Sequence, residues 1–98
     1  MSNSYFVAEY VFTADRRHHE VRPGHRDFLA ELQVAGRLVL AGPWADDRGS
    51  LLVLRAADED EVREVLATDP YRAAGVLAEV RIRHWVPVLG SLAQQLAG

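Results

Sequence analysis

Two short segments contain the residue types that could transfer a proton. The first, Arg22-Pro23-Gly24-His25, lies at the start of a predicted amphipathic helix. The second, Asp69-Pro70-Tyr71-Arg72-Ala73-Ala74-Gly75-Val76, lies where another predicted helix gives way to a strand. A neutral imidazole can act as a general base near pH 7, and a carboxylate that accepts its N–H fixes the tautomer and stabilises the charged ring. His25 and Asp69 are therefore the candidate catalytic residues.

Both residues also have explanations that need no chemistry. Pro23 suits a first helical turn, so His25 is expected near the positive end of the helix dipole, which favours the neutral ring. An exposed histidine without a role would occupy the same position. Asp-Pro is a helix-stop and turn signal, so Asp69 could serve only to end the second helix. The sequence permits the two side chains to meet and does not require it.

Three further residues are candidates for substrate binding. Arg22 could hold an anionic group of a substrate, or it could form a surface ion pair. Tyr71 could supply a hydroxyl group, or it could pack beside the adjacent proline. Trp44 could form a wall for an aromatic substrate, although a tryptophan at a strand end also suits a core or an interface.

No metal site and no cofactor are predicted. His18, His19 and Glu20 fall in a segment predicted to be an extended loop, where adjacent side chains point to opposite sides and rarely share a metal ion. His84 lies on the apolar face of a predicted strand and is interpreted as a core or interface histidine. The chain has no cysteine, which excludes a thiolate nucleophile, a disulfide and a zinc–thiolate site.

Length and composition favour one small domain, residues 1–98, with a core over about 5–88 and a tail at 89–98. The chain has 98 residues, is 49% hydrophobic and has a net charge of −3, and its 11 basic residues are all arginine and are dispersed. No basic stripe suggests nucleic acid binding, and no run of about 18 apolar residues suggests a membrane span. Since Met1-Ser2-Asn3-Ser4 does not resemble a signal peptide, we expect a cytoplasmic protein.

The hydrophobic pattern alternates between strand and helix periods. Thr13–Glu20 reads as a loop, and Ala45–Gly49 has the composition of a hairpin connection. The predicted elements, in chain order, are a strand at Tyr5–Phe12, a helix from Pro23 to about Ala35 that stops at Gly36, strands at Arg37–Trp44 and Ser50–Ala56, a helix at Asp58–Thr68, a strand at Val76–Val88, and a short helix or frayed tail at Gly90–Ala97.

The order βαββαβ predicts an α+β, ferredoxin-like fold with an antiparallel four-stranded sheet and both helices on one face. On the last strand, one face is mainly apolar and should cover the helices (Val76, Ala78, Val80, Ile82, His84, Val86, Val88). The other is polar and aromatic and suits a cavity or an interface (Leu77, Glu79, Arg81, Arg83, Trp85, Pro87). Since the uncovered sheet face is also apolar on the other strands, a second copy of the chain is the expected cover, as a homodimer.

These motifs together resemble the YCII-related family. The resemblance rests on Arg22-x-x-His25, on Ala41-Gly42-Pro43 and above all on Asp69-Pro70-Tyr71, and it covers Tyr5 to about Val88. It implies a dimeric ferredoxin-like α+β barrel with a His–Asp site at His25 and Asp69. Most such proteins have no assigned reaction, and a few relatives are similar to lyases that remove chloride from chlorinated, hydroxylated aromatic rings without a metal or organic cofactor. The connection between strands 2 and 3 is short here, so a pocket wall built from that loop is expected to be missing.

Three hypotheses for the function follow. The leading one is a small cofactor-independent enzyme, of lyase or isomerase type, that acts on a small aromatic or anionic molecule by general acid–base catalysis. The second is a non-catalytic module that binds a small ligand or a partner protein on its sheet. The third is a structural dimer in which His25 and Asp69 only terminate helices.

Overall fold

The computed structural model describes residues 3–96, which form one antiparallel sheet with helices packed on one face. The elements in chain order are β1 (Ser4–Phe12), α1 (His18–Val34), β2 (Leu38–Pro43), β3 (Gly49–Ala56), α2 (Glu59–Leu66), α3 (Pro70–Ala73), β4 (Leu77–Trp85) and α4 (Ala93–Leu96). The strands lie in the order β2-β3-β1-β4, and every neighbouring pair is antiparallel. The predicted α+β, ferredoxin-like βαββαβ arrangement is confirmed, and α3 and α4 are short additions to it.

The core lies between the sheet and the helices, and β1 lies at its centre. β1 pairs on both edges, and its even-numbered side chains are buried while its odd-numbered ones face the opposite side of the sheet. Strand alternation produces this separation, because successive side chains point to opposite faces. The buried side chains on the helix side come from five elements: Phe6, Ala8, Tyr10, Phe12, Leu32, Leu52, Leu54, Ala56, Val62, Leu66 and Tyr71.

Helix α1 begins at His18, five residues before the predicted start at Pro23. The prediction of a loop at Thr13–Glu20 is therefore wrong for its last three residues, which are helical. The cause is tertiary packing. The imidazole of His18 is buried and stacks on Phe12, with ring centroids 3.9 Å apart and planes 13° apart. Asp15 accepts the backbone N–H of Arg17 at 3.2 Å, just ahead of the helix. Polar residues thus form an additional helical turn that the hydrophobic pattern does not reveal.

The earlier start places Pro23 inside α1 and changes the argument about His25. Proline has no N–H to offer the carbonyl group of His19, one turn earlier, so the helix lacks one internal hydrogen bond there. His25 lies about two turns from the helix start, and the helix dipole acts mainly within the first turn. The prediction that His25 occupies the positive end of the helix is therefore wrong, and the state of its ring must be set by other contacts.

Two predicted helix boundaries are confirmed, the stop of α1 at Gly36 and the N-cap of α2 at Asp58. Gly36 adopts a left-handed conformation with φ of 76° directly after α1, and Arg37 donates its backbone N–H to the carbonyl group of Leu32 at 2.9 Å, which closes the last turn. At the start of α2, Asp58 accepts the backbone N–H of Glu61 at 2.9 Å as the expected N-cap.

Strand β4 follows the predicted alternation except at its beginning. Val80 and Ile82 pack against the core, and His84 stacks on Phe6 with ring centroids 5.0 Å apart. Leu77 was expected on the opposite face, but it packs against the core. A register shift opposite Val11 and Phe12 inserts one extra residue and turns Leu77 towards the helices.

The chain after β4 crosses part of the other sheet face, opposite to α1, α2 and α3. The hydroxyl group of Tyr5 donates to the carbonyl group of Leu96, and α4 supplies the short helix expected in the tail. Val86 and Val88, predicted as strand residues, lie beyond β4 and are exposed. Within residues 3–96, none of the helices has the length and hydropathy needed to cross a bilayer.

Gly49 at the start of β3 leaves no room for a side chain. A Cβ atom there would lie 2.1 Å from the carbonyl oxygen of Tyr10 and 3.1 Å from Cδ1 of Trp44. We expect Gly49→Ala to lower the free energy of unfolding by about 3 kcal/mol, the upper end of the usual cost of overpacking, since the backbone of β1 must move.

Urea unfolding followed by tryptophan fluorescence measures this change. Gly42→Ala is the control, because a Cβ atom at Gly42 meets nothing within 4 Å. Its effect should stay within about 0.5 kcal/mol. Equal losses in the two variants would contradict this account of the β1–β3 contact.

Candidate active site

His25, near the middle of α1, and Asp69, just before α3, meet inside the protein. Nδ1 of His25 lies 3.0 Å from Oδ1 and 2.9 Å from Oδ2 of Asp69. His25 is 6% exposed and Asp69 is 1% exposed. The structure thus brings together the two residues that the sequence selected, at hydrogen-bonding distance and away from bulk water.

Local backbone geometry holds Asp69 in this position. The residue precedes Pro70 and is extended, with φ of −65° and ψ of 129°, as expected for a residue before proline. It caps α3, because Oδ1 accepts the backbone N–H of Tyr71 at 3.0 Å. Oδ2 accepts the hydroxyl group of Tyr10 at 2.8 Å. The prediction that Asp69 ends the second helix is wrong, because α2 already ends at Leu66; Asp69 instead starts α3 and binds His25 with the same carboxylate.

Tyr10 supports the carboxylate from the central strand. Burial raises the pKa of Tyr10 far above its ordinary value, and the negative charge of Asp69 raises it further. The phenol is therefore neutral and remains a hydrogen-bond donor throughout the physiological range. No pattern in the sequence indicated this role, because Tyr10 fits the apolar alternation of β1 as a core residue.

The hydrogen bonds to Asp69 determine which ring nitrogen of His25 is free. An ionised carboxylate can only accept hydrogen bonds, so Nδ1 of His25 carries a proton and donates a hydrogen bond to Asp69. Nε2 has no hydrogen-bond partner among residues 3–96 and is not fully buried. His25 lines the cavity described next. In the neutral ring this nitrogen has a free lone pair, which is the requirement for a general base.

A cavity of about 200 Å³ lies between α1 and the ends of β2 and β3, and it reaches His25. Its rim includes Arg22 and Arg26, one helical turn apart on α1. Ser50 lies on its sheet side. The other lining residues are mainly apolar or aromatic: Phe12, Leu29, Ala41, Gly42, Pro43, Leu52 and Tyr71. Asp69 lies behind His25 and does not line the cavity.

The predicted substrate-binding residues lie at different distances from this cavity. Tyr71 stacks face to face on His25, with centroids 3.9 Å apart, and its hydroxyl group accepts a hydrogen bond from Nε of Arg22 at 3.4 Å. Nη2 of Arg22 also donates to Oδ1 of Asp47 at 2.7 Å. Trp44 does not line the cavity and instead lies over Gly49 at the hairpin.

The short hairpin between β2 and β3 contributes to the site in a way that the sequence did not indicate. None of residues 44–48 lines the cavity, but Asp47, which has φ of 58°, turns its carboxylate towards α1 and fixes Arg22. The same carboxylate accepts from Nε2 of His18 at 3.3 Å and from His19. These bonds, with His19 and Arg22 the main donors, hold the pKa of Asp47 well below its usual range.

The grouping of His18, His19 and Asp47 is also the arrangement in which a metal site would be sought, since their ligand atoms lie within 4.8 Å of one another. The argument that these two histidines diverge on an extended loop is wrong, because both belong to the first turn of α1. The guanidinium groups of Arg22 and Arg16 lie 2.7 and 3.6 Å from the same carboxylate and oppose a further cation. Burial lowers the pKa of His18, so its ring favours the neutral form. The electrostatics favour a cluster that anchors Arg22.

Comparison with known proteins identifies relatives of this chain. The family model of the YCII-related domain matches residues 5–86. The uncharacterized protein YjpA of Bacillus subtilis (strain 168) is 37% identical over 62 residues, which cover 63% of this chain and 72% of YjpA.

Solved structures share the fold at lower sequence identity. One is 5-chloro-2-hydroxyhydroquinone dehydrochlorinase (TftG) from Burkholderia phenoliruptrix AC1100, in complex with 2,5-dihydroxybenzoquinone: the TM-score is 0.65 and the identity 23%, with 83% of this chain and 92% of TftG covered. Another is Rv0793 from Mycobacterium tuberculosis, with a TM-score of 0.61, 16% identity, and coverage of 92% of this chain and 99% of that chain. At these identities the similarity shows the fold alone.

The bond from Tyr10 to Asp69 should be measurable as a coupling energy. We expect Tyr10→Phe to lower the free energy of unfolding by about 1.5–3 kcal/mol, the usual range for a hydrogen bond to a charged group. In an Asp69→Asn background the loss should fall to about 1 kcal/mol, because the acceptor is then neutral. Urea unfolding of the four proteins of this double-mutant cycle gives the coupling, and strict additivity would contradict the bond.

Proposed function

This chain belongs to the YCII-related family, and we propose that it is a small enzyme that acts by general acid–base catalysis on a small aromatic or anionic molecule. His25 is the proposed base, and Asp69 is the residue that orients it and stabilises its charged form. Arg22 and Tyr71 are proposed to help position the substrate. The observation that carries the proposal is the accessible Nε2 of a buried histidine whose other nitrogen is bound to a buried carboxylate.

The proposed step moves one proton. Nε2 of His25 takes a proton from the bound molecule, and the electron pair of the broken bond remains on that molecule. The pair then either expels a leaving group, as in a lyase, or takes a proton back at a different atom, as in an isomerase. In the isomerase case the imidazolium returns its proton to the molecule, and in the lyase case it releases the proton to water after the leaving group departs. Asp69 stabilises the imidazolium throughout because it is an anion in direct contact with Nδ1.

The lyase alternative gains support from the fold neighbour TftG, whose name describes a dehydrochlorinase. Loss of chloride from the keto form of a hydroxylated ring is a reaction in which proton removal and departure of an anion suffice. We therefore propose 5-chloro-2-hydroxyhydroquinone as the first compound to test, with chloride release as the readout. Small ketones and keto acids, followed by deuterium incorporation from solvent, test the isomerase alternative.

We expect His25→Gln to abolish turnover of any compound that the wild type converts, since an amide nitrogen has no basic lone pair. A loss of at least about 100-fold in kcat/KM is the usual size of a general-base contribution. His84→Gln is the matched control, because His84 stacks on Phe6 and does not line the cavity. Retained turnover in His25→Gln, with the variant folded by circular dichroism, would refute the assignment.

The non-catalytic alternative, a module that binds a small ligand, makes the opposite forecast for the same proteins. If the wild type binds a compound in the cavity but converts none of the panel, the dyad has a structural role and the binding module is favoured. If binding is also absent, the purely structural reading of His25 and Asp69 is favoured.

We also propose that the protein is a homodimer in which two copies meet through the sheet face opposite to α1, α2 and α3. This face carries exposed apolar side chains, among them Leu40 at 64% and Trp85 at 43% exposure, which the tail covers only in part. One acidic and two basic groups lie beside them on β4, at Glu79, Arg81 and Arg83. A face that carries both signs of charge around an apolar centre can pair with a copy of itself about a two-fold axis.

Sedimentation velocity at micromolar concentration tests the dimer. The wild type should sediment with twice the mass of one chain, and Leu40→Arg should shift it to the monomer, since an arginine would be buried at the apolar contact. Val34→Arg is the matched control: Val34 is 90% exposed, but it lies at the end of α1, on the helix side of the sheet. A monomeric wild type, or equal effects of the two variants, would overturn the proposal.

A further inference from the structure

Ser50 has a hydroxyl group that the protein buries and leaves without a partner. The residue is 5% exposed, and its Oγ makes no hydrogen bond within residues 3–96. It lies on β3 opposite Tyr10 and lines the same cavity as His25. Burial of an unpaired hydroxyl group costs on the order of 1–3 kcal/mol, so such groups call for an explanation. A ligand oxygen in the cavity would supply the missing partner.

The rim of the cavity carries more positive charge than the protein neutralises. Arg22 and Arg26 are four residues apart on α1, so their side chains lie on the same face of the helix. Asp47 balances Arg22. Arg26 forms no ion pair or side-chain hydrogen bond with the described residues 3–96. A negatively charged group at the rim would therefore meet one guanidinium group that is already positioned and another that is available.

The size of the cavity limits the ligand to one ring. A cavity of about 150 Å³ lined by apolar side chains is large enough for benzene, and this cavity has a volume of about 200 Å³ with largely apolar walls. One ring with one or two small substituents therefore fits. A carboxylate matches the two polar sides better than a hydroxyl substituent does, since it is ionised at neutral pH and its oxygens accept several hydrogen bonds in the geometry of a guanidinium fork.

We propose that the cavity binds a monocyclic carboxylate whose charged group interacts with Arg22 and Arg26 and accepts a hydrogen bond from Ser50, which makes Ser50 and Arg26 specificity-determining residues. The ring then lies along the apolar wall, within reach of Nε2 of His25. This inference rests on the proposed function for the identity of the cavity as the active site, and it adds the class of substrate.

Benzoate and benzamide test the inference, because they have the same shape and differ in charge. In titrations followed by amide NMR shifts, benzoate should bind at least tenfold more tightly than benzamide, with the largest shifts at residues that line the cavity. Ser50→Ala and Arg26→Gln should each weaken benzoate binding roughly tenfold and leave benzamide binding nearly unchanged. Arg63→Gln is the control for loss of a positive charge, because Arg63 is paired with Glu59 on the exposed side of α2.

Folding does not obscure this test, since Ser50→Ala removes an unpaired buried hydroxyl group and should not lower the free energy of unfolding. Equal binding of benzoate and benzamide, or unchanged benzoate binding in Ser50→Ala, overturns the inference. 4-Nitrophenolate that binds more tightly than benzoate overturns the choice of a carboxylate.

The outcome is separable from that of the proposed function. Benzoate binding needs no proton transfer and should persist in His25→Gln. Charge-selective binding without turnover of any compound would therefore sustain this inference and refute catalysis. Turnover of neutral compounds with no benzoate binding would do the reverse.

Discussion

The buried carboxylate of Asp69 is the constraint on which both the fold and the candidate site depend. An ion taken out of water is costly unless it is fully hydrogen-bonded. Here three donors from three elements satisfy it: Tyr10 on β1, His25 on α1 and the backbone N–H of Tyr71 on α3. The same bonds that make this charge tolerable fix the spacing of helix and sheet. The geometry of the candidate site thus follows from the hydrogen bonds that stabilise the carboxylate of Asp69.

The contact between His25 and Asp69 was predicted correctly, although the argument made for the ring of His25 was wrong. The sequence suggested that a helix dipole keeps the ring of His25 neutral, but the helix starts five residues earlier than expected. The direct bond to Asp69 instead fixes the tautomer: Nδ1 carries a proton, and Nε2 is left without a protein partner among residues 3–96. Residue type and neighbouring prolines were sufficient to select the pair, because few other residues could transfer a proton near pH 7.

Strands and helices with a clear hydrophobic periodicity could be predicted from the sequence. Contacts made by side chains that do not follow this periodicity could not. The strands, the stop at Gly36 and the cap at Asp58 follow from local rules of propensity and capping. The first turn of α1 depends on the stacking of His18 against Phe12, which joins residues from different elements. The position of Asp47 depends on a positive φ in a hairpin, and the orphaned hydroxyl group of Ser50 depends on what surrounds it in three dimensions. None of these facts is written in the spacing of residues.

The proline inside α1 divides that helix into two segments with separate attachments. The segment before it is tethered to the hairpin through Arg22 and Asp47, and the segment after it is tethered to Asp69 through His25. Because the proline removes the hydrogen bond that would join the two turns at His19, strain in one segment is transmitted weakly to the other. Changes in the hairpin therefore act first on Arg22, and Tyr71, which contacts both Arg22 and His25, is the remaining link between the two segments. A substitution in the hairpin can thus move the charge of Arg22 while Asp69 still holds Nδ1 of His25.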